Sequence, residues 1–213
     1  MSISFCTTLI DRWDNFAKMY QSLMPCLDRG CELIVTDWGS KDLDFSVFRR
    51  DHQVTFRFKS LPYRRTHGLN FSAEVAKFHT LFFIDADMVV PESFDTWINQ
   101  RVKPGWAVFP ICYSLNQGKP MEVKGDKMNS KDTNGWWRYQ GFGMCGFHDR
   151  DFYDIQGWDP KYVQWGKADE DIWKKTNNSG IQVCRENCPG LYHLWHPGPF
   201  DKKNKYFVTE EPK

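Results

Sequence analysis

The sequence has no long hydrophobic run and no excess of charge of either sign. Its 28 Lys and Arg residues balance 27 Asp and Glu residues, so the formal net charge is +1 and there is no general electrostatic case for a nucleic acid or an anionic membrane as partner. The apolar start at residues 3–10 is followed by Asp11, Arg12 and Asp14, which makes it too short for a secretory signal or a membrane span. We therefore expect neither a nucleic-acid partner nor a membrane span.

The sequence also lacks a cysteine pattern that would indicate disulfides. Its seven cysteines are an odd number, are scattered along the chain and form no Cys-x-x-Cys motif. Without a secretory segment, this usage predicts reduced thiols and a soluble protein of the cytoplasm, or of the host cytoplasm if the source is viral. The short form without anchor or signal fits a bacterial, phage or viral enzyme, or one domain of a longer polypeptide.

Apolar runs and helical patterns alternate along the first half of the chain. The predicted strands cover residues 3–9, 32–36, 54–58 and 81–90, and the predicted helices cover residues 13–24 and 70–78. Asp11 is the predicted cap of the first helix, and Pro25 its predicted end. This alternation is typical of an α/β fold with a mostly parallel sheet. With 213 residues and no internal repeat, we expect a single domain over residues 1–213.

The second half of the chain is less regular. Strands are predicted at residues 106–115, 141–147 and 191–196, and helices near residues 152–155 and at residues 168–177. Residues 116–140 are polar and rich in Gly, Lys and Asn, which predicts a mobile loop that closes over substrates. Trp136 and Trp137 in this segment either stack on an acceptor sugar or are buried under the loop.

The most informative stretch is the apolar run at residues 81–90, which carries Asp85-Ala86-Asp87. Side chains alternate along a strand, so Asp85 and Asp87 are expected on the same face. Two adjacent buried carboxylates repel each other, and a hard divalent cation with oxygen ligands relieves that repulsion. The alternative is a pair of acids that cap a helix starting near Pro91.

Further acidic residues follow the neighbouring strands. Asp11 comes after the first strand and Asp37 follows the second. Ligands of α/β sheets bind at the carboxyl ends of the strands, where Asp85 and Asp87 are also expected. The convergence of these carboxylates at one edge of the sheet favours the metal interpretation.

Three motifs occur in a fixed order. Tyr63-x-Arg65-x4-Asn70 precedes Asp85-Ala86-Asp87, and residues 155–172 then contain Ile-Gln-Gly-Trp-Asp-Pro, Tyr162, Trp165-Gly166 and Asp169-Glu170-Asp171-Ile172. In this order and spacing the chain resembles the GT-A glycosyltransferases, in particular their β-1,4-galactosyltransferase and family 2 branches, over about residues 3–197. The resemblance implies one Rossmann-like domain, with a nucleotide-binding part at about residues 1–104 and an acceptor-binding, catalytic part at about residues 105–200.

The resemblance also implies a reaction. A metal-dependent, inverting transferase of this kind moves a hexose or deoxyhexose from a nucleotide-diphosphate sugar, expected to be a UDP-sugar, to a hydroxyl of a glycan or glycoprotein. Asp87 and, less directly, Asp85 would hold Mn²⁺ or Mg²⁺ on the diphosphate, and Asp169 falls on the position of the catalytic base. The residues expected to contact the nucleotide are Asp37 at the uracil N3–H, Tyr63 stacked on the base, Arg65 at a phosphate or base edge, and Thr8, Asp11 and Arg12 lining the pocket.

A histidine completes the metal site in related enzymes, and two histidines near the end of the chain are candidates. His193 and His196 lie on opposite faces of a strand unless the strand has ended, and His193 is the preferred ligand because it is still on the strand. One alternative is a core histidine. Another is a zinc cluster formed by Cys184, Cys188, His193 and His196, although its middle spacer is short for a zinc finger.

The chain departs from the family pattern near the expected base. Ala168 replaces a glutamate of the family, the following Glu170 is an acid that can compensate, and Trp38 stands where family 2 often has a second Asp. Ala168 leaves open a sugar-nucleotide or glycan-binding module that has lost catalysis. A nucleotidyltransferase is a third hypothesis, but that class normally has a glycine-rich phosphate loop where this chain has Thr7-Thr8-Leu9-Ile10.

Single residues of these motifs also have ordinary structural interpretations. Residues 169–171 can be the acidic first turn of a helix, which the helix dipole favours. Arg64 and Arg65 can form a solvated turn, and Tyr63 can be a core residue.

Overall fold

The computed structural model describes residues 1–59, 62–123, 134–163 and 167–197. The strands of these residues are β1 Ile3–Leu9, β2 Glu32–Asp37, β3 Gln53–Phe58, β4 Thr80–Phe83, β5 Met88–Val89, β6 Trp106–Val108, β7 Ile111–Leu115, β8 Gly135–Trp137, β9 Cys145–His148, β10 Gln182–Cys184 and β11 Asn187–His193. The α helices are α1 Trp13–Asp28, α2 Arg65–Ala73, α3 Phe94–Asn99, α4 Asp149–Asp154 and α5 Lys167–Asn178. Within the described ranges, none of the helices combines the length and apolar composition that crossing a bilayer demands.

The large sheet has seven strands in the order β10-β6-β9-β4-β1-β2-β3. Strands β4, β1, β2 and β3 run parallel to one another, and β9 lies antiparallel between β4 and β6. The predicted α/β class with a mostly parallel sheet is confirmed. Because Leu9 pairs with Asp37 at the ends of β1 and β2, the loops after these two strands lie side by side.

Side chains alternate across the large sheet and build a core on each of its faces. Phe5 and Phe82 belong to the core under α1 and α3, whereas Cys6 and Phe83 belong to the core under α2, α4 and α5. All four side chains are fully buried. Helices therefore cover both faces of the sheet, and its strand ends form the edge at which polar side chains gather.

A smaller sheet has four strands in the order β5-β11-β7-β8. One row of paired residues crosses it, since Met88 pairs with His193, His193 with Ser114, and Ser114 with Trp136. Paired residues of neighbouring strands place their side chains on the same face, so this row points to one side of the sheet. Trp137 faces the other side and packs on the Tyr113 ring, with ring centroids 5.4 Å apart.

The apolar run at residues 81–90 is not one strand. β4 ends at Phe83 in the large sheet and β5 starts at Met88 in the small sheet, and the turn between them is closed by a 3.3 Å hydrogen bond from Met88 N to Asp85 O. The expectation that Asp85 and Asp87 share one face of a strand is therefore wrong. Both carboxylates lie in the turn, where the chain passes from one sheet to the other.

The ends of α1 also differ from the prediction. Pro25 lies inside the helix, which continues to Asp28. Proline is unfavourable there, but Cys26 and Leu27 beyond it are buried in the core, and this packing outweighs the local preference. Arg12 rather than Asp11 occupies the N-cap position, and Asp11 has a positive φ of 42°.

Three other predicted elements differ from those in the structure. The strand predicted at residues 106–115 is two strands, β6 and β7, which belong to different sheets. The helix predicted at residues 70–78 corresponds to α2, which begins earlier, at Arg65. The predicted mobile loop at residues 116–140 contains β8, which is paired with β7. Residues 124–133 of that loop lie outside the described residues, and the division into nucleotide and acceptor parts stays a prediction.

We expect Phe82→Ala to lower the free energy of unfolding by about 3–5 kcal/mol, because truncating a buried aromatic ring leaves a cavity. The Phe82 ring lies 5.0 Å from the Phe94 ring and 6.0 Å from the Phe5 ring, measured between centroids. The matched control is Phe58→Ala at the end of β3, where the side chain is 62% exposed, and this change should stay within about 0.5 kcal/mol of wild type. Urea denaturation measures both, and equal losses would contradict the described core.

Candidate active site

Short polar side chains hold together the turns after β1 and β2. Asp37 is fully buried and accepts hydrogen bonds from Gly39 N at 2.9 Å, Ser40 N at 3.1 Å and Ser40 Oγ at 2.5 Å. Ser40 Oγ accepts from Asp11 N at 2.9 Å, and Asp11 Oδ1 accepts from Lys41 N at 2.7 Å. Both carboxylates thus shape these two loops, and the hydrogen bond from a uracil N3–H to Asp37 stays a prediction.

A polar and aromatic wall stands beside these turns. The hydroxyl oxygens of Thr8 and Tyr63 lie 3.0 Å apart, and the Trp38 ring meets the Tyr63 ring edge-on at 5.9 Å. Gly68 of α2 packs against this wall, since a Cβ at position 68 would lie 2.4 Å from Thr8 Cγ2. Burial raises the pKa of Tyr63, so its hydroxyl stays protonated. The structure therefore brings together Thr8 and Tyr63, two of the residues predicted for the nucleotide pocket.

A buried carboxylate meets two histidines where the turn after β4 faces the end of β11. Nε2 of His196 lies 3.1 Å from Oδ2 of Asp87, and Nε2 of His193 lies 3.8 Å from Oδ1 of Asp87. One candidate ligand atom from each of these residues lies within 4.8 Å of the others, and we call the three residues the Asp87 group. Arg12 NH1 donates a 2.9 Å hydrogen bond to Oδ2 of Asp87.

The end of β11 explains why both histidines reach the same carboxylate. The strand ends at His193, and Leu194 N then donates a 2.8 Å hydrogen bond to the main-chain oxygen of Asp87. The chain after His193 is therefore no longer paired as a strand, so the alternation of side chains between two faces ends there. His196 can then reach the same carboxylate as His193. The sequence pattern left open which histidine belongs to this site, and the structure places both there.

Hydrogen bonds and burial set the charge of the Asp87 group. Nδ1 of His196 lies 2.8 Å from the Pro197 carbonyl, which only accepts, so Nδ1 carries a proton and Nε2 faces Asp87. The hydrogen bond to Asp87 raises the pKa of His196, whereas burial lowers the pKa of His193 to about 4. Burial opposes ionisation of Asp87, but the two histidines and Arg12 together hold the pKa of its carboxyl below the usual range.

The Asp87 group fits a divalent cation. Oδ1 of Asp87 is buried and has no hydrogen-bond partner in the described part of the chain. A buried lone pair without a donor is costly, and a cation between it and two imidazole nitrogens removes that cost. Nitrogen ligands favour a transition metal such as Mn²⁺ over Mg²⁺, which prefers oxygen. Asp85 lies outside this group, and its predicted part in metal binding stays a prediction.

The zinc-cluster alternative does not fit this geometry. Cys188 is five residues before His193 on the same strand, which corresponds to roughly 15 Å. Cys184 ends β10 in the other sheet. The histidines therefore meet Asp87 rather than the two cysteines, and the zinc-cluster interpretation is wrong.

Arg65 at the start of α2 connects the Asp85 turn to the start of α5. Its Nε and NH2 donate to Oδ1 of Asp85 at 3.1 and 2.8 Å, and its NH1 donates to Oδ1 of Asp169 at 3.0 Å. NH2 also donates to Gly143 O at 3.0 Å, and the guanidinium lies 4.9 Å from the centroid of the Trp158 ring. Arg65 is thus not a solvated turn residue but a bridge between two carboxylates.

The position of Asp169 separates it from the acids that follow it. Glu170 pairs with Lys174, and Asp171 pairs with Lys175, one turn further along the same helix. Burial raises the pKa of Asp169, which makes its carboxylate more basic than an exposed one. The first turn of α5 contains both Asp169 and Glu170, but Asp169 differs from Glu170 because its carboxylate pairs with Arg65 rather than with a lysine of the same helix.

Gly143 lies against the second oxygen of Asp169. A Cβ at position 143 would lie 3.0 Å from Oδ2 of Asp169 and 3.1 Å from NH2 of Arg65. The missing side chain therefore keeps Oδ2 of Asp169 open on this side while the main chain of Gly143 still accepts from Arg65.

Sequence analysis missed two residues of the site. Ser114 Oγ and Arg138 NH2 lie 3.2 and 3.3 Å from Nδ1 of His193, and Arg138 NH2 donates to Ser114 Oγ at 3.2 Å. Among the described residues, Arg138 forms no ion pair with a carboxylate. No local pattern marks these side chains, because only the pairing of β7 with β8 and β11 brings them to His193.

The fold is that of the GT-A glycosyltransferases. A crystal structure of S. aureus TarS, residues 1–349, superposes with a TM-score of 0.69 at 12% sequence identity, covering 91% of this chain and 60% of that chain. GalNAc-T7, crystallised with UDP, GalNAc and Mn²⁺, superposes with a TM-score of 0.64 at 14% identity, covering 92% of this chain and 44% of that chain.

The sequence comparisons are more specific. A model of the family described as chondroitin N-acetylgalactosaminyltransferase matches residues 54–206. Chondroitin sulfate N-acetylgalactosaminyltransferase 2 of Homo sapiens is 33% identical over 216 residues, covering 91% of this chain and 40% of the relative. The chain belongs to the chondroitin N-acetylgalactosaminyltransferase family and spans about two fifths of the length of this relative. Because the relative is human, it lends no support to a bacterial or viral source, which stays a prediction.

We expect Asp87→Asn to weaken Mn²⁺ binding by more than about 100-fold. Removing a residue that only hydrogen-bonds to a metal ligand already lowers metal affinity by about 10–100-fold, and Asp87 is itself a proposed ligand. Electron paramagnetic resonance of free Mn²⁺ measures the affinity, and near-UV circular dichroism checks that the variant is folded. The control is Asp51→Asn, whose carboxylate is exposed and pairs with Arg49 far from the Asp87 group. Unchanged Mn²⁺ affinity in a folded Asp87→Asn protein would show that the metal binds elsewhere.

Proposed function

We propose that this chain carries the catalytic unit of an N-acetylgalactosaminyltransferase. It moves N-acetylgalactosamine from UDP-N-acetylgalactosamine to a hydroxyl of a chondroitin-type glycan, requires a divalent metal and inverts the anomeric configuration. The donor sugar is thereby narrowed from the expected hexose or deoxyhexose to an N-acetylated hexose, on the strength of the family and of its human relative. The cytoplasmic location stays a prediction, and it is supported by the free thiols of all seven cysteines, which all lie in described residues.

The observation that carries the proposal is the placement of two acidic groups at one edge of the sheet. The Asp87 group would hold the divalent cation that neutralises the donor diphosphate, and Asp169 would be the base for the acceptor. Arg65 connects the Asp87 group to Asp169. It donates hydrogen bonds to Asp169 and to Asp85, which lies two residues before Asp87. This arrangement supports a transferase over a module that has lost catalysis, because the base is both present and held in position.

Asp169 acts as the general base. Burial favours its protonated form, so it accepts a proton more readily than an ordinary carboxylate, while Arg65 keeps it ionised before the reaction. Its Oδ2 takes the proton from the acceptor hydroxyl as the hydroxyl oxygen bonds to the anomeric carbon and the bond to the diphosphate breaks. Attack from the face opposite the diphosphate converts an α-linked donor into a β-linked product.

Asp87, His193 and His196 hold the metal. A bound divalent cation supplies Lewis-acid neutralisation of the leaving diphosphate. His193 is neutral at pH 7 and therefore has a nitrogen lone pair available, and Ser114 orients its ring through the hydrogen bond at Nδ1. Arg12 holds Oδ2 of Asp87, which fixes the carboxylate from the side of α1.

Arg138 is a further cation beside the Asp87 group. It lies against His193 without a carboxylate partner in the described residues, so its remaining N–H groups can donate to an anion. We assign it to the oxygens of the diphosphate, which gain negative charge as the glycosidic bond breaks. This role would add to the charge neutralisation that a metal held by the Asp87 group would supply.

The direct test is transfer to a chondroitin oligosaccharide. Protein, Mn²⁺ and UDP-N-acetylgalactosamine are incubated with the acceptor, and both UDP release and the anomeric configuration of the product are measured. We expect UDP release that depends on the acceptor and on Mn²⁺, is lost with EDTA and returns with added metal. If the protein bound the metal but neither hydrolysed the donor nor transferred the sugar, the result would favour a sugar-nucleotide or glycan-binding module that has lost catalysis.

We expect Asp169→Asn to lower kcat by about 10²–10⁴-fold, because only proton acceptance is lost. The KM for the donor should barely change, since the diphosphate is held elsewhere. The control is Glu74→Gln, at an exposed carboxylate directly after α2, and it should keep near wild-type kcat. A product with the α configuration of the donor, found by NMR, would contradict the role of Asp169.

We expect Arg138→Met to lower kcat by about 10²–10³-fold, the usual cost of removing one donor that stabilises charge in the transition state. Mn²⁺ affinity, measured in parallel, should fall far less than in Asp87→Asn. Arg50→Met, at an exposed arginine, is the control and should leave kcat unchanged. If kcat for Arg138→Met matched wild type, the leaving diphosphate would not depend on this guanidinium.

A further inference from the structure

A second cluster of metal-ligating side chains lies away from the active site. Thr80, the first residue of β4, pairs with His148, the last residue of β9, and Asp149 N donates a 2.7 Å hydrogen bond to His79 O. These main-chain contacts bring the side chains of His79, His148 and Asp149 together. The cluster is therefore built on the rigid antiparallel ladder of the large sheet rather than on a loop.

The carboxylate of Asp149 stands between the two imidazoles. Nδ1 of His79 lies 2.7 Å from Oδ2 of Asp149, and Nδ1 of His148 lies 2.9 Å from Oδ1. The two rings are stacked, with centroids 5.6 Å apart and planes only 5° from parallel. One candidate ligand atom from each residue lies within 4.8 Å of the others.

The two imidazoles and the carboxylate are better suited to one bound metal cation than to an added proton on each imidazole. If both stacked imidazoles were protonated, two positive charges would share one carboxylate at short range. Two neutral imidazoles and one carboxylate instead provide the nitrogen and oxygen ligands that Zn²⁺ binds in tetrahedral sites. The side chain of His79 is 81% exposed, so a water can take the fourth position.

The cluster and the Asp87 group are separate sites. His79 precedes β4 and Asp85 follows it six positions later, which corresponds to roughly 20 Å of extended chain. None of the three residues contacts Arg65, Asp169 or the Asp87 group through the hydrogen bonds and ion pairs of the described residues. Occupation of one site therefore leaves the ligands of the other free.

We propose that His79, His148 and Asp149 form a surface Zn²⁺ site, independent of the active site, that ties the start of β4 to the end of β9. Binding to the folded chain alone stabilises it, because the unfolded chain does not hold the three ligands together. The site does not rest on the proposed transferase activity.

Zinc stoichiometry tests this proposal on tag-free protein. Competition with a chromophoric zinc indicator counts the Zn²⁺ ions bound per chain, and the double variant His79→Ala/His148→Ala should bind one fewer than wild type. His67→Ala removes an exposed histidine outside the cluster and should bind as many as wild type. An unchanged stoichiometry in the double variant would overturn the proposal.

A thermal-shift experiment gives a second readout that does not need activity. In an Asp87→Asn background, ZnCl₂ should raise Tm, and adding His79→Ala should abolish the rise. His79 is largely exposed, so this variant is expected to fold, and its kcat in the Asp87 wild-type background should be unchanged. A Zn²⁺-dependent rise in Tm that survives His79→Ala would also overturn the proposal.

Discussion

The buried carboxylate of Asp87 connects the two sheets and the start of the first helix. The turn that carries it is the passage from β4 in the large sheet to β5 in the small one. Its main-chain oxygen accepts from Leu194, and its side chain faces Arg12, His193 and His196. A charge so buried requires partners, and these partners come from two distant parts of the chain, the residue before α1 and the end of β11. The requirement to compensate this charge thus also assembles the metal site.

In the proposed function, the remaining contacts fall on a donor side and an acceptor side of the edge of the sheet. The linked turns of Asp11 and Asp37 and the wall of Thr8 and Tyr63 lie at the ends of β1 and β2, where nucleotides bind in such sheets. Asp169 lies on α5, beyond β9, on the far side of Arg65. The proposed function accordingly assigns recognition of the nucleotide and activation of the acceptor to different groups of residues.

Local patterns sufficed for β1, β2 and β3 and for the residues at strand ends, because a parallel sheet puts its carboxyl ends together. Local patterns failed where pairing between residues that are far apart in the sequence decides which sheet a segment joins. The run at residues 81–90 contains the apolar residues of one strand, yet β5 pairs with β11 about a hundred residues later. Arg138 falls in a polar stretch that reads as a loop, and only its neighbour β8 shows that this stretch is part of a sheet. Pro25 stays inside α1 because tertiary packing outweighs its local cost.

The two-sided pairing of Arg65 has a consequence for the catalytic cycle. One guanidinium neutralises two carboxylates, so the charge on each is felt by the other through Arg65. In the proposed mechanism, the proton that Asp169 accepts would cancel its charge, and Asp85 would remain the charged partner of Arg65 among the described residues. The electric field at the turn that carries Asp85 would then change once in every turnover, when the new glycosidic bond has formed.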